Sequence, residues 1–560
     1  MSHAHDYDYD YLIVGSGFGG SVSALRLAEK GYRVAVLESG RRFEDHDFAE
    51  RLSQLRRMIF APKLGLKGIL RVTPFKDVMI LSGSGVGGGS LVYAQTLWRA
   101  GEGFFDDWRK VCGDAPDLEK YYELAEGMLG VVTQPRRTPA DEAIEAISVE
   151  LGVADTFGPV PVGVYFGEPG VAHADPYFGG AGPARSGCVE CGLCLLGCRN
   201  NAKNTLPKNY LWFAERLGVQ IDPERTVTSI RPLGAPDGSD GYAVTSECSG
   251  SWIRKDRRTQ TARGVVVAAG ALGTNQLLAQ CKRDGVLPRI SDRLGQLVRT
   301  NSEAMTAVTT PDDRGWGRSV SITSSVHPTG DSHVEAVTYG SGGNMMGLMF
   351  TFLTGDGTRI TRPLKLLAQI LMHPIRFVRV TNPRGWSQRS LITGVMQSTD
   401  TSLSLVPKRR TLGRRLRLTT RQDPDNPTPT FLPVANDFAQ RLADRTGGTA
   451  QTWLTEALFN MPITAHILGG AIAADTPEHG VVDRDHRVFG YQNLLVCDGA
   501  VIPANPGVNP SLTITAMAER AMAGIPVKPG TQTTAPRARF VPPKPASVER
   551  SGVLPISETA

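Results

Sequence analysis

The stretch YDYLIVGSGFGGSVSALRLAEKGYRVAVLESG, residues 9–40, predicts a strand, a tight turn, a helix and a second strand. Its turn carries the spacing G-x-G-x-x-G through Gly15, Gly17 and Gly20. Such glycines let the backbone approach a pyrophosphate, and the helix start adds partial positive charge. Glu38 follows the second strand, where a carboxylate binds the ribose of an adenosine without a 2′-phosphate. An ordinary glycine-rich turn is the alternative, but this context favours a dinucleotide-binding domain.

Three further segments extend this pattern. A second glycine-rich loop, GSGVGGGSLVY, spans residues 83–93. A buried strand, a glycine turn and a helix are predicted in VVVAAGALGTNQLL, residues 265–278. The segment LLVCDGAVIPANPGVNPSLTITAMAERA, residues 494–521, predicts a strand, a long loop and a helix. Nicotinamide enzymes rarely need two such loops in one domain, whereas an extended, buried FAD would use both. A second structural turn is the alternative.

Together, the four ordered segments resemble the glucose–methanol–choline (GMC) oxidoreductase family, and more narrowly its bacterial cholesterol oxidase-like branch. The resemblance covers residues 10–525. It implies an α/β fold, in which an FAD-binding Rossmann-like domain is interrupted by an α+β substrate domain with a large antiparallel sheet. The domains expected are the first part of the FAD domain (1–310, with a Cys-rich insert at 185–200), the substrate domain (311–461), the rest of the FAD domain (462–525) and a Pro-rich tail (526–560).

The resemblance also implies noncovalently bound FAD and the residues that contact it. Three positions depart from the family pattern: Tyr93 replaces an Asn beside the flavin, and Asn275 and Ile467 stand where Pro is usual. The flavin contact at Tyr93 is therefore in question. The expected FAD-binding residues are Gly15, Gly17, Phe18, Gly19, Gly20, Glu38, Gly83, Gly85, Gly88, Gly89, Ser90, Ala269, Asp498, Gly499, Asn509 and Pro510.

Three residues are the catalytic candidates that the resemblance implies. AHILGGAI gives His466, which would accept or order the hydroxyl proton while hydride leaves for flavin N5. GVNPSL gives Asn509, which would orient the oxygen and the flavin edge. DSHVEAVTYG gives Glu335, which would move a proton during steroid double-bond migration. A core histidine and a surface glutamate on a strand are the alternatives for His466 and Glu335.

Four cysteines are clustered in GCVECGLCLLGC, residues 187–198. Cys188, Cys191, Cys194 and Cys198 have the spacing C-x2-C-x2-C-x3-C, which favours a [4Fe–4S] cluster. The fourth ligand would be Cys198 or a remote thiol. A zinc site and free thiols or disulfides are the alternatives. A cluster near FAD would give reduced flavin a one-electron exit, so the cysteines favour a dehydrogenase over an oxidase.

Composition narrows the setting. With 61 Lys and Arg against 55 Asp and Glu, the charges nearly balance, so nucleic acid is not an expected partner. The N-terminus lacks the pattern of a secretory signal, and no apolar run reaches the roughly 18 residues of a membrane span. We expect a cytoplasmic protein with peripheral membrane contact still open. Residues 361–380 alternate basic and apolar residues, which favours a helix packed on the core over an interfacial lid.

The sequence thus predicts an FAD-dependent oxidoreductase that oxidises the hydroxyl of a sterol, steroid or similar apolar alcohol. Hydride would pass to flavin N5, and electrons onward to an iron–sulfur cluster, to an acceptor protein or to O₂. The alternative is a flavoprotein that isomerises a steroid double bond or reduces a ketone or enone. A redox carrier is disfavoured, because a carrier does not need a substrate domain of this size.

Overall fold

The structure is a computed structural model that describes residues 6–408 and 416–531. Most of the predicted Pro-rich tail, residues 532–560, lies outside the described residues. In the described part no helix combines the length and apolar character that a bilayer span requires. The α-helices are Phe18–Glu29, Leu55–Met58, Glu102–Cys112, Glu119–Leu129, Pro139–Glu150, Tyr210–Arg216, Gly270–Arg283, Thr361–Met372, Pro374–Thr381, Trp386–Arg389, Pro433–Thr446, Leu454–Phe459 and Ser511–Ala523.

The first sheet is the nucleotide-binding core that the opening stretch predicts. Five of its strands run parallel and meet at the same edge with their carboxyl ends, where ligands bind in folds of this kind. Gly15, Glu38 and Cys497 directly follow three of these strands. In spatial order the strands are Gln220–Asp222, Val34–Leu37, Tyr9–Val14, Arg258–Val267, Tyr242–Cys248 and Arg225–Pro232, with Leu494–Val496 also pairing to Arg258–Val267.

The first helix, Phe18–Glu29, packs against both Tyr210–Arg216 and Ser511–Ala523. A partly buried ion pair crosses this contact, because the guanidinium of Arg26 donates to Glu519 over 2.7 and 2.8 Å. The hydroxyl of Tyr210 donates to the same carboxylate over 2.7 Å. The C-terminal helix is thereby anchored beside the glycine-rich turn, although 493 residues separate Arg26 from Glu519.

The second sheet is antiparallel throughout, as the fold class predicts. It lies beside the first and carries helix Pro433–Thr446 on one face. Its strand Ala304–Thr309 and its edge strand Gly158–Pro159 belong to the range expected for the FAD domain, so the domain boundaries remain a prediction. In order the strands are Phe350–Phe352, Thr449–Trp453, Ala304–Thr309, Ser390–Gln397, Ser332–Val337, Ile322–Val326 and Gly158–Pro159.

Two small sheets hold the segment that contains His466. Ile463–Thr464 adds in parallel to Met79–Gly83, and Leu468–Gly469 adds to Val298–Arg299. The backbone is therefore held by strand pairing both before and after His466. The remaining strands of the described part are Phe60–Ala61, Leu66–Lys67, Leu70–Pro74, Val132–Thr133, Pro161–Val162, Ala172–His173, Arg185–Ser186, Leu403–Pro407 and Leu418–Gln422.

Candidate active site

A cavity of 2290 Å³ opens between the two large sheets. It is larger than the roughly 300–1,000 Å³ of common small-molecule sites, so it has room for a dinucleotide and a substrate together. Most of the predicted FAD-binding residues line it, as do Glu335 and His466, whereas Gly20, Gly85 and Ser90 do not. The lining residues from the predictions are Gly15, Gly17, Phe18, Gly19, Glu38, Gly83, Gly88, Gly89, Glu335, Ala269, His466, Asp498, Gly499, Asn509 and Pro510.

The glycine-rich turn forms a cradle at one end of this cavity. A Cβ built on Gly17 would meet no atom within 4 Å, because this position faces open space at the start of the first helix. A Cβ on Gly88 would lie 2.7 Å from the Cα of Gly17, so the two glycine-rich loops touch. Gly15 has φ +99°, which favours glycine. An open cradle of backbone at a helix start fits the pyrophosphate of FAD.

Gly20 has a different role from the one predicted. A Cβ there would lie 2.0 Å from the carbonyl oxygen of Gly15, so this glycine serves close packing of helix against turn. Ser90 likewise supports the second loop from the side away from the cavity. Its hydroxyl donates to the carbonyl of Gly87 over 2.7 Å and accepts a hydrogen bond from the amide of Leu206 over 3.0 Å. These residues shape the cradle without lining it.

Glu38 is buried at the rim of the cradle and holds the two loops together. Its carboxylate accepts a hydrogen bond from the Ser16 hydroxyl over 2.7 Å and another from the amide of Gly40 over 2.8 Å. The amide of Gly85 approaches the same carboxylate at 3.3 Å, which is how Gly85 contributes. The predicted contact with a ribose remains a proposal, and the location of Glu38 on the cavity wall is consistent with it.

Asp498 follows the strand Leu494–Val496 and faces the cavity. Burial raises its pKa to about 6, although the Thr274 hydroxyl and the amides of Ala500 and Gly270 favour the charged form. The Thr274 hydroxyl donates over 2.5 Å and the Ala500 amide over 2.8 Å. A carboxyl held this firmly at the end of a parallel strand is suited to bind a polar cofactor group.

His466 is the centre of a polar cluster at the other end of the cavity. Its Nδ1 pairs with the carboxylate of Glu303, whose second oxygen accepts the amide of Ala465 over 2.6 Å. Burial lowers the pKa of His466, but the charges of Glu303 and Glu335 outweigh burial and leave that pKa above its ordinary value. With Nδ1–H directed at Glu303, the Nε2 of the neutral ring is free to accept a proton.

Asn509 lies between the other two predicted catalytic residues. Its Nδ2 is 3.5 Å from Nε2 of His466 and 3.4 Å from Oε2 of Glu335. Its Oδ1 is buried and has no hydrogen-bond partner among the described residues, so this oxygen is available to a bound molecule. The structure thus brings His466, Asn509 and Glu335 together, although the chain separates Glu335 from Asn509 by 174 positions.

Sequence reasoning did not find two residues that build this cluster. Glu303 carries no local signal, because a glutamate before a strand reads as a surface residue. Asn301 orders the loop that carries Asn509: its Nδ2 donates to the carbonyl of Val508 over 3.0 Å, and its Oδ1 accepts the amide of Gly507 over 2.8 Å. The side chain of Asn301 also lies 3.4 Å from Nδ1 of His466.

Comparison with known proteins decides the family. The sequence pattern of the GMC oxidoreductases matches residues 9–158 and 183–286 with its N-terminal part and residues 412–518 with its C-terminal part. The chain belongs to the GMC oxidoreductase family. The prediction from the four glycine-containing segments is therefore confirmed, and with it the prediction of an FAD-dependent oxidoreductase that acts on alcohols.

Relatives within the GMC oxidoreductases extend over nearly the whole chain. A cholesterol oxidase of Mycobacterium tuberculosis (strain ATCC 25618 / H37Rv) is 48% identical over 555 residues, covering 96% of this chain and 95% of that protein. A cholesterol oxidase of Acinetobacter baumannii is 44% identical over 528 residues, covering 92% of this chain and 94% of that protein. The chain is thus similar to the cholesterol oxidase-like branch, as the sequence predicts.

Solved structures of other proteins share the fold. Pyridoxine 4-oxidase from Mesorbium loti superposes with a TM-score of 0.58 at 14% identity, covering 92% of this chain and 98% of that one. Formate oxidase of Aspergillus oryzae superposes with a TM-score of 0.60 at 16% identity, covering 92% and 97%. At these identities the likeness establishes the fold class only, which agrees with the predicted Rossmann-like domain and substrate domain.

The predicted [4Fe–4S] site of this GMC oxidoreductase is not supported. In the described residues no group of three or more His, Cys, Asp or Glu side chains is arranged to hold a metal ion. Cys188, Cys191, Cys194 and Cys198 are free thiols. Burial raises the pKa of Cys188, Cys191 and Cys194, which disfavours the thiolates that metal binding requires.

A buried lysine lies beside the cysteine segment. Lys203 donates to the backbone carbonyl of Cys194 over 2.9 Å and to that of Leu91 over 2.9 Å. Burial lowers the pKa of Lys203 to about 8, while Cys194 and Cys198 act in the opposite direction. The ammonium therefore joins the cysteine segment to the second glycine-rich loop. The spacing that resembles a ferredoxin motif forms a structural link to the cofactor loop.

Proposed function

We propose that the protein oxidises the hydroxyl group of a sterol or a similar apolar alcohol, with FAD as the hydride acceptor and O₂ as the final oxidant. The observation that carries the proposal is His466 on the cavity wall, with Nδ1 paired to Glu303 and Nε2 beside Asn509. The relatives named cholesterol oxidases, at 44–48% identity, support the sterol and O₂.

In this proposal the chain binds, orients and deprotonates the alcohol. FAD, when bound, supplies an acceptor for the hydride that leaves the carbinol carbon. His466 takes the hydroxyl proton on Nε2, and Glu303 stabilises the resulting imidazolium. Asn509 presents its unpartnered Oδ1 and its Nδ2 to fix the orientation of the substrate. The overall reaction balances as one alcohol and one O₂ giving one ketone and one hydrogen peroxide.

Glu335 supports a second step on the same substrate. It is almost fully buried, lines the cavity and lies 3.4 Å from Asn509. A carboxylate at this place would remove a proton from the carbon between the new ketone and the double bond, and return it at the far end of that bond. This step isomerises a 5-en-3-one to a 4-en-3-one without any net redox change.

The wall of the cavity suits an apolar substrate. Met345, Leu348 and Met349 line it and are partly exposed at its mouth, in the segment Ser341–Met349. This segment contacts helix Pro374–Thr381. Partly exposed methionines form adaptable apolar surfaces, which is consistent with passage of a rigid lipid alcohol.

Two helices next to this mouth support contact with a membrane surface. Their apolar face, defined by six exposed side chains, adjoins the exposed bases Lys365, Arg376 and Arg379. Arg362 is not part of this surface, because it is fully buried and donates to Glu456 over 2.8 Å. An exposed apolar face with bases beside it fits an anionic lipid surface. The side chains of the apolar face are Leu364, Leu367, Leu371, Met372, Ile375 and Val378.

One experiment tests the oxidation. Holoenzyme is mixed with cholesterol without oxygen while the flavin absorbance is followed, and oxygen is then admitted while hydrogen peroxide is measured. We expect bleaching followed by peroxide in amounts equal to ketone. His466→Ala should lose bleaching by about 10²-fold or more, the range for removal of a catalytic base, whereas the exposed control His479→Ala should not. Wild-type flavin that no sterol or long-chain alcohol bleaches would contradict the proposal.

A further inference from the structure

Two histidines that the proposed chemistry does not use adjoin the catalytic glutamate. His333 is fully buried, and its Nε2 lies 3.3 Å from Oε1 of Glu335. Its Nδ1 lies 3.3 Å from Nε2 of His327. The second oxygen of Glu335, Oε2, faces Asn509. The carboxyl of Glu335 thus joins the cavity on one side to a pair of imidazoles on the other.

The histidine pair leads to the surface. His327 is half-buried and directly follows the strand Ile322–Val326, and the loop after it, with Thr329 and Gly330, is exposed. Trp98 packs edge-on against His333 at 5.3 Å between ring centroids. The ring of His333 also packs edge-on against that of His327 at 4.7 Å, so the two imidazoles form a continuous contact from Glu335 to the loop.

One backbone carbonyl determines which atom is the donor in each hydrogen bond between His327, His333 and Glu335. The Nδ1 of His327 lies 3.1 Å from the carbonyl oxygen of Ser332, which only accepts, so this Nδ1 carries hydrogen. Nε2 of neutral His327 is then an acceptor, and His333 donates from Nδ1. Nε2 of neutral His333 is an acceptor in turn, and it is directed at Glu335. Once the carboxylate of Glu335 has taken up a proton, each hydrogen bond therefore points from the cavity towards the surface.

We propose that Glu335, His333 and His327 form a proton relay between the active-site cavity and solvent. The relay rests on the proposed oxidation. When the alcohol becomes a ketone, two electrons and one hydrogen leave as hydride for the flavin, and the hydroxyl proton must leave separately. His466 first takes that proton on Nε2 and transfers it through one water in the cavity to the carboxylate of Glu335, beside Asn509. The carboxyl formed in this way donates it to Nε2 of His333, while the Nδ1 proton of His333 moves to His327. His327 then releases one proton to water.

The electrostatics of His327 suit the exit position. Burial lowers its pKa, the nearby ring of His333 lowers it further, and the carbonyl of Ser332 acts in the opposite direction. A proton that reaches His327 is therefore passed on and not stored. When O₂ takes the hydride equivalent back, one proton returns by the same route, so no net charge accumulates over a turnover.

The test follows two signals in one anaerobic mixing experiment. Holoenzyme and excess sterol are mixed in weakly buffered solution with a pH-indicator dye, and flavin bleaching and proton release are recorded together. In wild type both signals should appear together. In His327→Ala proton release should lag by at least about tenfold, less than removal of the base itself costs. Added imidazole should restore it, because the exposed end of the relay admits a small base.

Two further variants separate a relay from a structural role. His333→Gln should show the same lag without rescue, since its site is closed to imidazole. His479→Ala, exposed and bonded only to Thr476 in the described residues, should behave as wild type. Unfolding midpoints of all variants are measured alongside. Prompt proton release in His327→Ala would overturn the relay.

Failure of the relay is distinguishable from failure of the oxidation. If sterol does not bleach wild-type flavin, the proposed oxidation is wrong. The relay is then tested with protein reduced by dithionite and mixed with O₂, since formation of hydrogen peroxide takes up one proton from solution. A lag in proton uptake in His327→Ala, with rescue by imidazole, would support the relay. Equal uptake in His327→Ala and wild type would contradict it.

Discussion

The imidazole of His466 is held between two carboxylates with different tasks. Glu303 pairs with Nδ1 and fixes the ring, whereas Glu335 lies on the side of Nε2 and Asn509. Both negative charges favour the imidazolium and oppose the effect of burial. Because a base must be neutral to accept a proton, the two carboxylates reduce the fraction of His466 that can act as a base at low pH. In return, the pairing with Glu303 keeps the ring in a fixed orientation.

A first prediction concerns Glu303→Gln. Glu303 and Glu335 together raise the pKa of His466 above the ordinary value of 6.5. Because the protonated ring cannot accept a proton, the activity of the wild type should fall with decreasing pH, and this fall should begin above pH 6.5. Removal of the Glu303 charge should move this acidic limb to lower pH and reduce kcat by about 10²-fold, since the ring also loses its orientation. The measurement is kcat/KM against pH. An unmoved limb would exclude Glu303 as the partner of the base.

A second prediction concerns Glu335→Gln. The amide has nearly the same shape but cannot accept the proton that isomerisation requires. The variant should still bleach its flavin with sterol, and its product should remain the 5-en-3-one instead of the 4-en-3-one. Ultraviolet absorption of the conjugated enone distinguishes the two. Normal amounts of the conjugated product would mean that another base carries the isomerisation.

Two elements with glycines illustrate how one motif serves two purposes. In the turn and first helix, Gly17 faces the open cradle, while Gly20 faces the backbone of Gly15. Both belong to the same G-x-G-x-x-G spacing, yet only Gly17 lies on the cavity wall. The cradle and the packing of the helix can therefore be separated by mutation.

A third prediction compares Gly17→Ala with Gly20→Ala. Gly17 has φ −70°, which alanine adopts freely, so its variant should fold normally and lose FAD affinity by at least about tenfold, or ~1.4 kcal/mol. Alanine at Gly20 gains about 1 kcal/mol of helix propensity. Its Cβ, however, would meet a backbone oxygen at 2.0 Å. The cost of this overpacking, about 1–3 kcal/mol or more, should exceed the gain in helix propensity, so Gly20→Ala should destabilise the protein.

Thermal unfolding of the apoprotein and FAD titration are the two measurements for this pair. Only Gly20→Ala should lower the unfolding midpoint before FAD is added. Loss of apoprotein stability in Gly17→Ala would show that this glycine also has a packing role.

At the scale of the whole molecule, the cavity lies between the two large sheets, and its apolar mouth adjoins the apolar face of helices Thr361–Met372 and Pro374–Thr381. The two helices pack on the core through other side chains, among them Leu366 and Val380. Six other large apolar side chains remain exposed. The helix pair thus has both a core contact and an outward apolar face.

A fourth prediction concerns this outward face. In flotation with vesicles, the protein should rise with those containing anionic phospholipid and much less with neutral ones. The double variant Leu367→Glu and Leu371→Glu should lose most of this binding, because two charges replace exposed apolar side chains. Val149→Glu, a matched change at an exposed position on another helix, should keep it. Equal flotation of both variants would assign the binding to another surface.

The sequence by itself determined the family, the Rossmann-like core and the segments that surround FAD, because glycine spacing after a strand reports a local requirement for close backbone approach. It also named His466, Asn509 and Glu335, through resemblance and not through periodicity. Only the tertiary structure brought these three together and added Glu303, since contacts across more than 100 positions leave no local pattern. His333 and His327 lie within eight positions of Glu335, but only the strand geometry shows that their rings meet its carboxylate. The cysteine spacing misled because ligand geometry depends on how thiols are directed in space, and in the described residues the thiols form no metal-holding group.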